Sequence, residues 1–119
     1  MTRVLVCGSR DYQNYLTFAR EMRHLESEHG PFDTIIHGGA RGTDWMAHLY
    51  VGERMEIIFE ADWDKHGKAA GPIRNQRMLD EGKPEMVIAF KGGRGTADMV
   101  RRAKAAGVRV VIAFEGYRP

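Results

Sequence analysis

Residues 86–96 of the chain read MVIAFKGGRGT, an apolar run that leads directly into a glycine-rich turn. A helical pattern follows from Ala97 to Ala106. A strand, a glycine-rich turn and a helix in this order present the unpaired N–H groups of the helix start to an anion. The glycines allow a sharp turn and a close approach of the backbone to a ligand. This stretch therefore predicts a phosphate-binding turn at the end of a buried strand.

A second stretch of similar form, TIIHGGARGT, lies at residues 34–43. It also runs from apolar residues through a glycine-rich turn to Gly-Thr at the start of a predicted helix. Thr43 and Thr96 are typical N-cap residues at these two helix starts. A capping threonine can also donate a hydrogen bond to a ligand anion. Two such turns in one small chain favour phosphate binding more strongly than one turn does.

The bulk composition predicts one globular domain covering residues 1–119. The chain is 43% hydrophobic and 29% charged, which is typical of a globular domain. Its net charge of +2, from 18 Lys+Arg and 16 Asp+Glu, is no general nucleic-acid footprint. The single cysteine, Cys7, excludes an internal disulfide and favours a reducing, cytoplasmic setting. No apolar run is long enough to span a membrane, and no signal region is present.

The apolar segments alternate with helical patterns along the chain. The predicted strands are Arg3–Cys7, Thr34–His37, Glu56–Phe59, Glu85–Phe90 and Val108–Phe114. The predicted helices are one after Asn14 that stops at Gly30, one from Thr43 to about Gly52, one from Gly71 to near Gly82, and one from Thr96 to Gly107. This alternation predicts an α/β fold with a parallel sheet, right-handed crossovers and helices on both faces.

Ligands of such sheets bind outside the carboxyl ends of the strands. Glycines and polar residues concentrate in the segments that follow the strands, which are Cys7–Asp11, Gly38–Gly42, Ala61–Gly71 and Lys91–Gly95. The chain has no Gly-x-x-x-x-Gly-Lys-Ser/Thr loop, which disfavours a standard nucleotide triphosphatase. The first strand leads into Gly8-Ser9-Arg10, which is not the dinucleotide-binding pattern Gly-x-Gly-x-x-Gly. Neither His-Glu-x-x-His nor Cys-x-x-Cys occurs, so the sequence indicates no metal and no resident cofactor.

The candidate site residues come from these segments. The candidate phosphate-binding or ligand-binding residues are Gly8, Ser9, Arg10, Gly38, Gly39, Gly42, Thr43, Arg74, Asn75, Gly92, Gly93, Gly95 and Thr96. Arg74 is predicted at the start of the third helix, where a positive charge opposes the macrodipole and indicates an anionic partner. Asn75 has a structural alternative, which is to fasten the loop after the third strand. Trp63 could stack on a base or close the core.

The four loop motifs together resemble the SLOG superfamily of Rossmann-like proteins, and most of all its YspA-like group. They are Cys7–Asp11, His37–Asp44, 71–75 and 92–96, in the family's order and across nearly the whole chain. The superfamily also contains the LOG (Lonely Guy) phosphoribohydrolases and the DNA-processing protein A family. The resemblance implies a Rossmann-like three-layer sandwich with a five-stranded parallel sheet in the order 3-2-1-4-5. It also implies binding of a nucleotide or a nucleotide derivative.

The chain departs from LOG enzymes at the residues that carry their chemistry. Their motif is Pro-Gly-Gly-x-Gly-Thr-x-x-Glu, whereas Lys91 stands here at the proline position and Met99 at the glutamate position. Asp98 lies one residue earlier, about a hundred degrees around a helix. Asp98 and Asp44, with Asp62, are therefore the candidate catalytic carboxylates.

Three functional classes remain open at this stage. The prediction is a nucleotide-binding protein without turnover. One alternative is a hydrolase of an N-glycosidic or phosphoribosyl bond, which needs a carboxylate beside the ribose. The other is a single-stranded DNA-binding protein, although the weak net charge makes nucleic acid a less favoured partner. A homo-oligomer is compatible with the sequence.

Overall fold

A computed structural model describes residues 2–113 of the chain. The strands are β1 (Thr2–Cys7), β2 (Phe32–His37), β3 (Met55–Ile58), β4 (Met86–Ala89) and β5 (Arg109–Ile112). All four strand pairs are parallel, and the order across the sheet is β3-β2-β1-β4-β5. The predicted sheet and its strand order are confirmed. The predicted end of the fifth strand at Phe114 lies outside the described residues.

The helices are α1 (Tyr15–His29), α2 (Thr43–Tyr50), α3 (Trp63–His66), α4 (Ala70–Asp80) and α5 (Arg94–Ala105), with a 3₁₀ turn at Gly67–Ala69. The start of α1 is as predicted, because the Asn14 side chain accepts a hydrogen bond from the Thr17 N–H at 3.1 Å. Its end at Gly30 is also as predicted. The segment predicted as a loop between β3 and α4 instead contains α3 and the 3₁₀ turn.

Two helix starts differ from the prediction. Gly42 is the N-cap of α2 and Gly93 is the N-cap of α5, so Thr43 and Thr96 lie inside their helices and cap neither. Their expected capping role is wrong, because the glycine backbone turns the chain into the helix one to three residues before each threonine.

The start of α4 also differs. The helix begins at Ala70, which makes Arg74 its fifth residue and places it in the second turn rather than at the helix start. The effect of the helix macrodipole falls off within the first turn, so the position of Arg74 does not indicate an anionic partner as predicted.

The core occupies both faces of the sheet. On one face α1 and α2 pack Phe18, Met22 and Met46 against Ile35 and neighbouring strand residues. On the other face α4 and α5 pack a second set of buried side chains that includes Met78 and Met99. Because helices cover both faces, the free surface of the sheet for a ligand is its carboxyl edge. Within residues 2–113, no helix is long and apolar enough to cross a membrane.

Candidate functional site

A cavity of about 750 Å³ opens at the carboxyl edge of the sheet. The end of β1, the loop that follows it, α3, α4 and the start of α5 form its walls. A cavity of this size is in the range that holds small-molecule ligands and cofactors. It lies where a parallel α/β sheet places its ligands.

The start of α5 forms one wall of this cavity. Gly93 is its N-cap, and no side chain among the described residues caps the helix. The first helical hydrogen bond runs from the Ala97 N–H to the Gly93 carbonyl at 3.0 Å. The N–H groups of Arg94, Gly95 and Thr96 therefore have no helical acceptor, and they carry the positive end of the helix dipole.

Two glycines of this turn, Gly93 and Gly95, are not required by internal packing. A Cβ built at either position has no described atom within 4 Å beyond its immediate chain surroundings, and neither residue has a positive φ. Both line the cavity. Gly92 differs, because a Cβ there would overlap the Thr96 side chain. The open space around Gly93 and Gly95 thus faces the cavity rather than the protein.

The other glycine-rich turn packs against the loop after β1 at its helix end. Gly42 has a φ of +76°, and a Cβ on it would overlap the backbone of Ser9 and Arg10. The backbone N–H and the Oγ1 of Thr43 both donate to the Ser9 carbonyl, each at 3.0 Å. The predicted site residues of this segment, which are Gly38, Gly39, Gly42 and Thr43, do not line the cavity among the described residues. Gly42 and Thr43 contact the loop after β1, whereas the Gly38 carbonyl accepts a hydrogen bond from Arg74 and the Gly39 N–H donates to the His37 ring.

That loop, Gly8-Ser9-Arg10, does line the cavity. The Ser9 N–H donates to the Lys91 carbonyl at 2.9 Å, which ties the loop to the segment before α5. A Cβ on Gly8 would lie 2.5 Å from the Thr43 Oγ1, so the close contact between the loop and α2 requires glycine. The two glycine-rich turns therefore hold the loop from either side and leave Arg10 exposed at the cavity.

Trp63 lines the cavity beside Arg10. The Arg10 guanidinium lies 5.2 Å from the centroid of the Trp63 ring, within range of a cation–π contact. The Trp63 side chain is 46% exposed, which excludes the alternative that it closes the core. It remains available to stack on a planar ligand group.

Arg74 and Asn75 hold α4 against its neighbours. The Arg74 Nη1 donates to the Gly38 carbonyl at 2.9 Å, and its Nε donates to the Asn75 Oδ1 at 3.1 Å. The Asn75 amide in turn donates to the Gly95 carbonyl at 3.2 Å and to the Asp98 carboxylate at 3.0 Å. Asn75 therefore fastens α4 to α5. Both residues line the cavity, and burial lowers the pKa of the Arg74 guanidinium.

Asp98 lines the cavity on α5, whereas the adjacent Met99 is fully buried in the core. The Asp98 carboxylate accepts hydrogen bonds from Arg101 at 2.6 Å and from Arg102 at 2.8 Å, in addition to the one from the Asn75 amide. Burial alone would raise the pKa of Asp98, but these hydrogen bonds and the two guanidinium charges outweigh burial and lower it. The carboxylate is ionised near neutral pH and cannot serve there as a general acid.

Asp44 lines the cavity from the first turn of α2. Burial raises its pKa, and the hydrogen bond from the Ala40 N–H with the charges of His37 and Arg74 opposes that rise only in part. The neighbouring Cys7 is a buried thiol whose pKa burial raises to about 12. Cys7 is therefore a packed residue rather than a nucleophile.

The cavity lining carries more positive than negative charge. Among the described residues its five basic side chains are Arg10, Lys68, Arg74, Arg94 and Arg101, against the two carboxylates of Asp44 and Asp98. Neither Lys68 nor Arg101 is among the candidate site residues predicted from the sequence. The signal for Arg101 was available, because residues 94, 98 and 101 follow the i, i+4, i+7 spacing of one helix face.

Comparison with known proteins agrees with this architecture. The family model described as the YspA, cpYpsA-related SLOG family matches residues 2–66. The chain is 36% identical to the Gene 61 protein of Mycobacterium phage D29 over 121 aligned positions, covering 93% of this chain and 95% of the relative. Among solved structures, the Moco carrier protein of Chlamydomonas reinhardtii has a similar fold, with a TM-score of 0.56 at 19% identity. The match covers 100% of this chain and 79% of that one.

The family match covers more than half of the chain, from β1 to α3, and includes both the loop after β1 and the first glycine-rich turn. The resemblance drawn from the four loop motifs is thereby confirmed. The chain belongs to the YspA, cpYpsA-related SLOG family.

Proposed function

We propose that this protein binds a nucleotide or nucleotide derivative in the cavity at the carboxyl edge of the sheet, with the ligand phosphate at the start of α5. The observation that carries the proposal is the open turn at Gly93–Thr96. Its backbone N–H groups have no helical acceptor, and two of its glycines face empty space that the fold does not use.

The charges around the turn support an anionic ligand. Five basic side chains and two carboxylates line the cavity, which leaves an excess of three basic groups. A guanidinium matches a phosphate with two parallel hydrogen bonds. The exposed Arg10 is available for such a contact, whereas Arg74 also holds the Gly38 carbonyl.

The cavity can also accommodate a planar group. Trp63 lines the cavity beside the exposed Arg10, and an exposed indole stacks on any base without base-specific hydrogen bonds. The phosphate at α5 and the base near Trp63 give the ligand one orientation in this proposal.

Turnover is not part of the proposed function. Met99 occupies the position of the LOG glutamate and is buried in the core, so it offers no carboxylate to the cavity. Asp98 is held by an amide and two guanidinium groups. A hydrolase remains the second candidate because Asp44, with its raised pKa, lies in the same cavity.

The test begins with mass spectrometry of small molecules that co-purify with the protein. A thermal-shift panel follows, with a nucleoside, its monophosphate, ribose 5-phosphate, inorganic phosphate, ADP-ribose and cyclic nucleotides. Moco joins the panel because the structural neighbour is named for carrying it. A ligand at a hundred times its Kd should stabilise the protein by about 2.7 kcal/mol, or about 10 °C. Stabilisation by the nucleoside but not by its monophosphate would contradict the phosphate site.

A further inference from the structure

Two histidines and a glutamate meet at the edge of the sheet, outside the cavity. His37 ends β2, Glu56 lies on the edge strand β3, and His48 lies on α2. The His37 Nε2 is 2.6 Å from the Glu56 Oε2, and the His48 Nδ1 is 2.7 Å from the same oxygen. These three atoms all lie within 4.8 Å of one another. Among the described residues, none of these three side chains lines the cavity, so the cluster is separate from the proposed ligand site.

The donor atoms form a set that transition metals prefer. Two imidazoles and one carboxylate are a common protein ligand set for Zn²⁺, usually completed by a water. Both ring nitrogens lie within hydrogen-bonding distance of one carboxylate oxygen, and a cation bound by all three atoms would replace these two hydrogen bonds.

The geometry requires only a small opening of the cluster. Ligand atoms at Zn²⁺ distances in a tetrahedral shell lie about 3.3 Å apart, so the two nitrogen–oxygen separations must each grow by about 0.6 Å. His37 is fixed, being 1% exposed. The His48 side chain is 42% exposed and can move on the surface of α2.

We propose that His37, His48 and Glu56 bind one zinc-type divalent transition-metal ion through Nε2, Nδ1 and Oε2. The ion would join the edge strand β3 to β2 and to α2. The three ligands come from three separate elements, at positions 37, 48 and 56, and no short sequence motif connects them.

Metal binding would also change which ring nitrogen of each histidine carries a proton. Each imidazole must carry its proton on the nitrogen that does not bind the metal, so in a neutral ring the proton moves from the ligating nitrogen to the second nitrogen. For His37 this second nitrogen is Nδ1, which accepts a hydrogen bond from the Gly39 N–H at 3.0 Å. That N–H must turn away when Nδ1 carries the proton. Gly39 is exposed, with a φ of +71°, so its N–H can turn to water.

The test uses the full chain, stripped of metal with a chelator and titrated with ZnCl₂ by calorimetry. We expect one ion per chain, with binding that weakens as the pH falls because protons compete for the ligands. His48→Ala and Glu56→Gln should each lower the affinity at least tenfold. MgCl₂ should not bind, because Mg²⁺ prefers oxygen ligands.

The matched control is His24→Ala. His24 is an exposed histidine 3.4 Å from Glu28, a histidine–glutamate pair without a second histidine, and its loss should leave Zn²⁺ affinity unchanged. Circular dichroism melts show whether each variant folds. For the parent, the Gly39 signal in an amide NMR spectrum should shift when Zn²⁺ is added. Co²⁺ bound in place of Zn²⁺ should give the visible absorption typical of a four-coordinate site. No stoichiometric Zn²⁺ binding by the parent, or equal affinity in the parent, His48→Ala and Glu56→Gln, would overturn the proposal.

Discussion

The two glycine-rich turns look alike in the sequence but occupy different environments in the fold. Both contain Gly-Gly and Arg-Gly-Thr, and the first has the extra residue Ala40 between them. In the first turn Arg-Gly precedes the helix, which starts at Thr43, whereas in the second the helix starts at the arginine, Arg94. The same tripeptide is therefore a connection in one turn and the first turn of a helix in the other.

This difference decides which backbone N–H groups have a hydrogen-bond acceptor within the fold. In the first turn the Thr43 N–H is taken by the Ser9 carbonyl, and Gly42 packs against the backbone of the same loop. In the second, the N–H groups of Arg94, Gly95 and Thr96 have no helical acceptor, and the three residues line the cavity. Similar glycine patterns therefore have two different surroundings, close backbone packing at Gly42 in one turn and open space at Gly93 and Gly95 in the other.

The largest expected effect is on stability, from Gly42→Ala in the first turn. The methyl group would overlap the backbone of Ser9 and Arg10, and the φ of +76° is strained for alanine. We expect a loss of roughly 3 kcal/mol in the free energy of unfolding. Urea denaturation measures it, with Gly95→Ala as the control that has open space around the new methyl group. Equal stability of Gly42→Ala and the parent would remove the distinction between the turns.

The next effect is on binding, from Gly93→Val in the second turn. The side chain should fill the space proposed for the phosphate and abolish the thermal shift given by the best ligand of the panel. Nothing in the described fold occupies that space, so the free energy of unfolding without ligand should change by less than about 1 kcal/mol. Binding by Gly93→Val as tight as that of the parent would show that the turn is not the phosphate site.

Arg10→Ala should have a smaller effect, confined to the ligand. Arg10 is exposed and its guanidinium contacts the Trp63 ring. Its replacement therefore removes a proposed phosphate partner and breaks no buried hydrogen bond. We expect about a tenfold loss of ligand affinity by calorimetry, from the energy of one charge-assisted hydrogen bond. Arg20→Ala on the exposed face of α1 is the control and should bind as the parent does. An equal loss in both variants would indicate a general charge effect.

Single-stranded DNA should bind only weakly at physiological salt. The net charge is +2, and the excess of basic side chains is in the cavity. Fluorescence anisotropy at several salt concentrations measures the affinity and its salt slope. Tight binding with a steep slope that Arg10→Ala or Arg74→Ala removes would favour the alternative that resembles DNA-processing protein A.

The smallest expected effect is in catalysis, where we expect little or no release of free base from nucleoside monophosphates or ADP-ribose. The carboxylate at Asp98 is held by Asn75, Arg101 and Arg102 rather than free to act on a ribose. Chromatography of the parent, Asp98→Asn and Asp44→Asn provides the assay. Robust turnover by the parent that is lost in only one of these variants would identify a hydrolase and its carboxylate.

Local chain chemistry determined the fold to a large extent. Short apolar runs that alternate with amphipathic segments require a parallel sheet covered on both faces, and the strand order followed once the loop motifs were compared with a family. The Asn14 cap and the Gly30 stop depend only on neighbouring residues, and both are as predicted. The location of a cavity at the carboxyl edge also follows from the parallel topology alone.

Only the tertiary structure decided what each candidate residue contacts. The packing of Gly42 on the Ser9 loop, the hydrogen bonds of Asn75 across to α5, and the cluster of His37, His48 and Glu56 all join residues far apart in the chain. Local pattern carries no information on such pairs, because they depend on how helices cross the sheet. For the same reason the two glycine-rich turns could not be told apart in the sequence, since their difference lies in which distant backbone groups come within hydrogen-bonding distance.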